Sequence, residues 1–192
     1  MKNTTSILPR SAETFSLGRS IDNNYIIGVR LNENDRKSIQ DLKPMVKLVG
    51  NIHGNEPVGR ELLIHFARYI LSAVETPPNQ RDDLANRAAN ILKMTDLWIL
   101  PSMNPDGFKR AKEGKCGGEG FASGRTNLGF KDLNRDFPTW KDMQALQVRN
   151  ISTDDIFKSR EKETKLMMKW TLDNPFVLSA SFHDGAVVVG YP

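Results

Sequence analysis

Apolar residues in this chain fall into two alternating patterns: short continuous runs, and longer stretches at helical spacing. Residues 24–31 (NYIIGVRL) read as a strand. Residues 45–52 (MVKLVGNI) read as a second, β-branched and nearly continuous, ending in Gly50-Asn51. Asn55-Glu56-Pro57 has the signature of a helix start, with Asn55 as the N-cap candidate, a carboxylate in the first turn and Pro near the first position. That helix runs through Leu62, Leu63, Phe66, Ile70 and Leu71 and stops before Pro77-Pro78. A second helix is expected over 82–93, and 97–100 (LWIL) is a short buried strand ended by Pro101. Residues 102–140 are rich in Gly, Asn and Asp and show little periodicity; loops of that length tend to be functional. A helix is expected over 161–172, bounded by Asn174-Pro175, then a strand over 176–182 and a short strand over 187–189.

This alternation predicts an α/β fold, with a mixed, largely parallel sheet flanked by helices. Three of the strands end in polar clusters: His53-Gly54-Asn55-Glu56, Asn104-Pro105-Asp106-Gly107 and His183-Asp184-Gly185. In open α/β sheets the functional crevice lies beyond the carboxyl ends of the strands. The three clusters are therefore expected to converge.

Composition narrows the function classes. The chain has 192 residues, 39% hydrophobic and 26% charged, which suits a folded domain and not a disordered one. No apolar run approaches ~20 residues, so no transmembrane helix is expected. The N-terminal stretch lacks the apolar core of a signal peptide. A net charge of +4 raises the question of nucleic acid. Lys and Arg are interleaved with Asp and Glu from Lys2 to Lys169, however, and no basic cluster with aromatics occurs, so no nucleic-acid partner is expected. The lone Cys116 reads as an incidental thiol.

Candidate chemistry sits at the strand ends. His53 and Glu56 straddle a strand-to-helix turn, and His183 ends a strand about 130 residues on. Two His and one carboxylate, with a fourth position open to water, make up the donor set of a catalytic zinc site. H-x-x-E alone is a common chance match. Only three His occur, though, and two of them lie at strand ends; the third, His65, falls within a helix and takes no role. Further on, Arg135 offers a planar fork for a carboxylate, and Asn134 an amide donor. A structural Arg–Asp pair is the plainer reading of Arg135 taken alone. Arg125 adds a second cation, suited to an oxyanion beside a metal.

Taken in order, these segments resemble the M14 zinc carboxypeptidases, in particular the branch of carboxypeptidases N, E, D and M. The matching stretches are Gly50-Asn51-Ile52-His53-Gly54-Asn55-Glu56 with Gly59-Arg60-Glu61-Leu62-Leu63, then Asn104-Pro105-Asp106-Gly107-Phe108, then Gly124-Arg125 with 132–138 (DLNRDFP), then 176–183 with Tyr191-Pro192. Several motifs in the right order are far more specific than one. The resemblance implies one Zn²⁺ on His53, Glu56 and His183, and Arg125 as the catalytic carbonyl-polarising group. It implies Asn134 and Arg135 as the grip on a substrate's terminal carboxylate, and Asp132 as the hydrogen-bond partner of the first zinc His. Peptide or protein C-termini, with Lys or Arg among the terminal residues, are the implied substrates. The secretory pathway is the implied compartment, in line with the sequons at Asn3 and Asn150.

This chain departs from the family pattern in three respects. His-Gly-Gly has become His183-Asp184-Gly185, and DLNRN has become DLNRD at Asp136. The family's general-base Glu and capping Tyr lie downstream of the matched stretch. Glu161 and Glu163 precede His183 and do not take the base's place. Residues 1–192 are thus expected to be a partial, truncated catalytic domain with little activity by itself. Two alternatives remain: a non-catalytic carboxypeptidase-like binding protein, and an aspartoacylase-type zinc amidase. The Asn104-to-Phe108 loop and the long strand before His183 favour the peptidase over the amidase.

Overall fold

The computed structural model describes residues 11–32, 43–114, 123–149 and 152–191. Five strands form one sheet in the order β1-β2-β4-β3-β5: β1 (Ala12–Arg19), β2 (Tyr25–Leu31), β3 (Met45–Gly50), β4 (Asp96–Leu100) and β5 (Phe176–Phe182). A short turn joins β1 to β2, so they pair antiparallel, and β2 also runs antiparallel to β4. Helical crossovers separate β3, β4 and β5 in sequence, and crossovers return the chain in the same direction. The β3–β4 and β3–β5 pairings are accordingly parallel. The sheet is mixed, as the alternation predicts, with its parallel half at β4-β3-β5.

Period-two alternation sorts β4 between two cores. Leu97 and Ile99 face α1 (Pro57–Glu75) and α2 (Asp83–Met94), where they meet Leu63, Ile70 and Leu92. Trp98 and Leu100 face the other way, toward Met167 and Trp170 of α6 (Lys162–Asp173). Helices therefore cover both faces. No described helix is long and apolar enough to cross a membrane.

Most elements expected from the pattern are present, with five differences. Strand β1 occupies a stretch for which the pattern predicts no element. The N-cap of α1 is Glu56, not Asn55, with Pro57 at the first position, and no carboxylate lies in the first turn. The Glu56 side chain makes no capping bond because it is turned toward the two histidines described below. The long polar stretch contains a short helix, α3 (Pro105–Arg110). Asn104 caps it by accepting from the Gly107 amide at 2.9 Å, with Pro105 in the first turn. Two further helices, α4 (Trp140–Arg149) and α5 (Thr153–Lys158), lie beyond the expected elements. Residues 187–189 are exposed and irregular, not a strand. They lie past the last β3–β5 pair, Gly50 with Phe182, and no described strand offers them hydrogen bonds. Cys116 and the sequon residues Asn3 and Asn150 lie outside the described residues.

One buried cation stands out in the sheet. Lys47 of β3 is only 7% exposed. Its Nζ donates to Thr171 Oγ1 at 2.7 Å and lies 5.4 and 5.1 Å from the Trp170 and Phe176 ring centres. Burial lowers its pKa below the ordinary 10.5. Between the lowered folded value and 10.5 the unfolded chain binds more protons than the folded one, so the charged group costs stability at pH values below that window. The cost fades as pH rises toward 10.5. Thr171 also donates to the Met167 carbonyl, so removing the ammonium leaves the hydroxyl with a partner. Lys47→Met is expected to raise the thermal midpoint at neutral pH by about 2–4 °C, equivalent to about 1 kcal/mol. Calorimetry at pH 7 and pH 10 checks this, with a smaller gain expected at pH 10. A lower midpoint in the variant at pH 7 would mean that the aromatic cage and Thr171 outweigh burial.

Candidate active site

The turn that follows β3 is built around Asn51. This residue is fully buried, and its φ of 56° lies in the left-handed region that Asn tolerates better than most side chains. Its Nδ2 donates to the carbonyls of His53, Gly54 and Glu56 at 2.9, 3.1 and 3.1 Å, and its Oδ1 accepts from Ser102 Oγ at 2.7 Å. One amide thus folds residues 51–56 and ties them to the exit of β4. Gly54 must be glycine, because a Cβ there would collide with the backbone of Gly107 and Phe108 in α3. Asn104 completes the frame: its Nδ2 donates to the carbonyls of Ile52 and Arg125, each at 3.3 Å.

The segment 123–136 is anchored from the opposite side. Asn127 is fully buried, and its Nδ2 donates to Glu161 Oε2 at 2.9 Å and Glu163 Oε2 at 3.0 Å. Glu163 is itself 1% exposed and accepts from the Ile21 amide as well, so it acts as a structural tie among three segments. Asp136 is buried and accepts from the Glu161 amide at 2.8 Å, at the start of α6. The Asp in place of Asn at 136 therefore supplies an acceptor at a helix N-terminus.

On this scaffold His53, Glu56 and His183 meet. Their ligand atoms lie within 4.8 Å of one another. Glu56 Oε1 is 2.8 Å from His53 Nδ1, and its Oε2 is 2.8 Å from His183 Nδ1. The strand register delivers this: the parallel β3–β5 ladder ends at Gly50 and Phe182, one residue before His183. His53 is 3% exposed, while His183 stands at the open edge. Two imidazole nitrogens and a carboxylate oxygen are the donors of a catalytic zinc site, whereas calcium and magnesium take oxygen donors. The donor set therefore fits zinc. His65 is exposed on α1 and is not part of the group.

Behind His53, its Nε2 lies 3.0 Å from Asp132 Oδ1. Asp132 Oδ2 accepts from Arg125 Nε and Nη2 at 3.2 and 3.0 Å. Arg125 Nη1 reaches to 3.4 Å from Glu56 Oε1. Burial pushes the Glu56 pKa up, but the hydrogen bonds from His53 and His183 outweigh it and hold the carboxyl below its ordinary value. Asp132 behaves alike: burial opposes, while His53 and the Arg125 charge lower it. Both groups are thus anionic at neutral pH.

Asn134 and Arg135 lie on the 3₁₀ turn Leu133–Arg135, directly after Asp132. Leu133 is fully buried and pins the turn, while Asn134 and Arg135 are exposed. The Arg135 guanidinium donates to the Asn134 carbonyl at 3.0 Å and meets no carboxylate among the described residues. Asn51, Asn104 and Asn127 carry no catalytic chemistry of their own, and sequence reasoning assigned them no role. Their signal was position alone, at the end of a strand or inside a motif.

A model of the zinc carboxypeptidase family matches residues 1–192. The chain belongs to the zinc carboxypeptidase family. Rattus norvegicus carboxypeptidase Z is 38% identical over 203 residues, covering 100% of this chain and 30% of that protein. Caenorhabditis elegans carboxypeptidase E is 36% identical over 192 residues, covering 96% of this chain and 39% of that protein. These relatives agree with the N/E branch indicated by the motifs. The chain thus spans less than two fifths of either relative's length. Among solved structures, carboxypeptidase A from Helicoverpa armigera superposes with a TM-score of 0.60 at 19% identity, covering 93% of this chain and 42% of that one. At that identity the likeness speaks for the zinc carboxypeptidase fold.

Proposed function

We propose that residues 1–192 form part of the catalytic domain of a zinc metallocarboxypeptidase that removes C-terminal residues from peptides or proteins. The observation that carries this reading is the meeting of His53, Glu56 and His183, with Asp132 behind His53. In this reading the three side chains hold one zinc ion per chain, the histidines through the ring nitrogens that face Glu56. Zinc bound there supplies Lewis-acid polarisation of a carbonyl and lowers the pKa of water. Asp132 accepts the His53 Nε2 proton, which fixes the tautomer and leaves Nδ1 to act as a donor atom. Arg125 is held by Asp132 with one nitrogen toward Glu56 and supplies positive charge for a developing oxyanion. Asn134 and Arg135 grip the substrate's terminal carboxylate. Family membership favours peptide hydrolysis over the amidase alternative. Resemblance to the N/E branch brings Lys and Arg into the expected C-terminal residues and the secretory pathway into the expected route.

The test compares peptides with free and amidated C-termini. The zinc-loaded protein is expected to bind the free form more tightly, and Arg135→Ala to lose about 10- to 100-fold of that affinity, since a charge-assisted hydrogen bond contributes roughly 1.5–3 kcal/mol. Binding of the amidated peptide should be unchanged by the substitution. Equal affinity of the parent for both peptides would remove the carboxylate grip from the proposal. Tight binding of free C-termini without turnover, even in a longer product of the gene, would favour a binding protein.

A further inference from the structure

His183 occupies an exposed position for a metal ligand. It lies one residue beyond the last β3–β5 pair, just past the end of β5, and residues 185–191 run exposed. The ladder alone therefore does not set where its ring points. The neighbouring Asp184 does what the ladder leaves undone. Its Oδ2 accepts from the Val58 amide at 3.0 Å, in the first turn of α1. Its own amide donates toward Glu56 Oε2 at 3.3 Å. The first turn of α1 has no other side-chain cap, because its N-cap Glu56 faces the histidines. The first N–H groups of this 19-residue helix have no partner within the helix, so that end favours a carboxylate acceptor. The helix also presses on the strand end: a Cβ on Gly59 would come within 2.8 Å of Phe182 Cβ.

We propose that Asp184 is a positioning residue, a cap supplied to α1 from across the molecule that clasps the end of β5 to the start of α1 and holds His183 against Glu56. The side chains it brings into register lie 127 residues apart in sequence. The proposal rests on the zinc reading given above and adds to it how the third ligand is held. It also gives the Asp at this position a physical role: the carboxylate acts as a hydrogen-bond acceptor for a helix end.

The test uses Asp184→Ala and Asp184→Asn in the whole chain. Loss of a group that orients a metal ligand typically costs 10- to 100-fold in metal affinity, and that loss is expected for Asp184→Ala. Asp184→Asn keeps an acceptor oxygen, and Asn caps helices about as well as Asp, so zinc affinity within about threefold of the parent is expected. Two readouts need no metal. The Val58 amide should exchange faster with solvent in Asp184→Ala and as in the parent in Asp184→Asn. The His183 imidazole nitrogen shifts, which report its bond to Glu56, should move in Asp184→Ala alone. Unchanged Val58 exchange, or unchanged His183 shifts, in Asp184→Ala would overturn the proposal. So would equal losses in the two variants, which would make the charge and not the acceptor responsible. If the parent takes up no zinc, the zinc reading falls, and the two metal-free readouts still decide the role of Asp184.

Discussion

The protein equilibrated with zinc and passed through a desalting column is expected to retain about one ion per chain, and His53→Ala or His183→Ala to weaken binding by at least ~100-fold. Each histidine presents one nitrogen to the same carboxylate, and the three ligand atoms lie within 4.8 Å of one another. Removing either ring leaves one nitrogen and one carboxylate. Orienting groups outside the metal's own ligands typically contribute 10- to 100-fold, so a ligand itself should contribute more. Asp132→Ala is accordingly expected in that intermediate range, since Asp132 is the acceptor for His53 Nε2. His65→Ala, on the exposed face of α1, is the control and should bind as the parent does. Retention of metal at parental affinity by both His53→Ala and His183→Ala would remove the ligand assignment.

Peptide hydrolysis by residues 1–192 is expected to be slower by ~10²–10⁴-fold than that of Caenorhabditis elegans carboxypeptidase E assayed beside it, the usual contribution of a general acid–base group. The described residues bring three carboxylates to the site, and each is engaged. Glu56 lies between the two histidines. Asp132 is held by His53 and Arg125. Asp184 accepts from the Val58 amide. Glu161 and Glu163 are bound to Asn127 instead, and Glu163 is buried. Each of the five accepts a hydrogen bond through at least one oxygen, a contact that a proton shuttle would have to give up or share. Peptides ending in Lys, Arg and a neutral residue should all be tried, with and without a chelator. Chelator-sensitive turnover within about tenfold of the relative, on any of them, would mean that a base exists among these residues.

Much of this architecture was legible in the chain because it depends on local physics. Helical spacing from Leu62 to Leu71 marked α1, and the continuous apolar runs marked β3, β4 and β5. Asp82 in front of α2 is a cap whose side chain accepts from the Ala85 amide at 2.7 Å. Strand β1 was not anticipated. Its sequence, AETFSLGR, holds few apolar residues, and it is a strand because β2 lies beside it. Helix α3 was hidden because Gly and Asn dominate the surrounding composition, although Asn104-Pro105 carries a helix-start signal. The short strand expected over 187–189 failed for the converse reason: β-branched residues make no strand without a partner.

The amino-acid sequence by itself determined the family, the donor types and their placement at strand ends. These reside in motifs whose members are a few residues apart, such as His53 with Glu56 and Asp132 with Asn134 and Arg135. Tertiary structure decided which motifs meet and what their neighbours do. The parallel register of β3 with β5 carries His183 to Glu56. Asp132 divides its two oxygens between His53 and Arg125, a division visible only once both lie beside it. Lys47 reads in sequence as an ordinary strand lysine, and only the packing of α6 on the sheet buries its ammonium between Trp170 and Phe176. Asp184 likewise stands next to His183 in sequence as a bare carboxylate, and the approach of α1 makes it a cap. The physical reason is the same throughout. Hydrogen-bond type and periodicity are properties of a residue and its near neighbours, whereas burial, charge pairing and metal geometry depend on groups that the fold alone brings together.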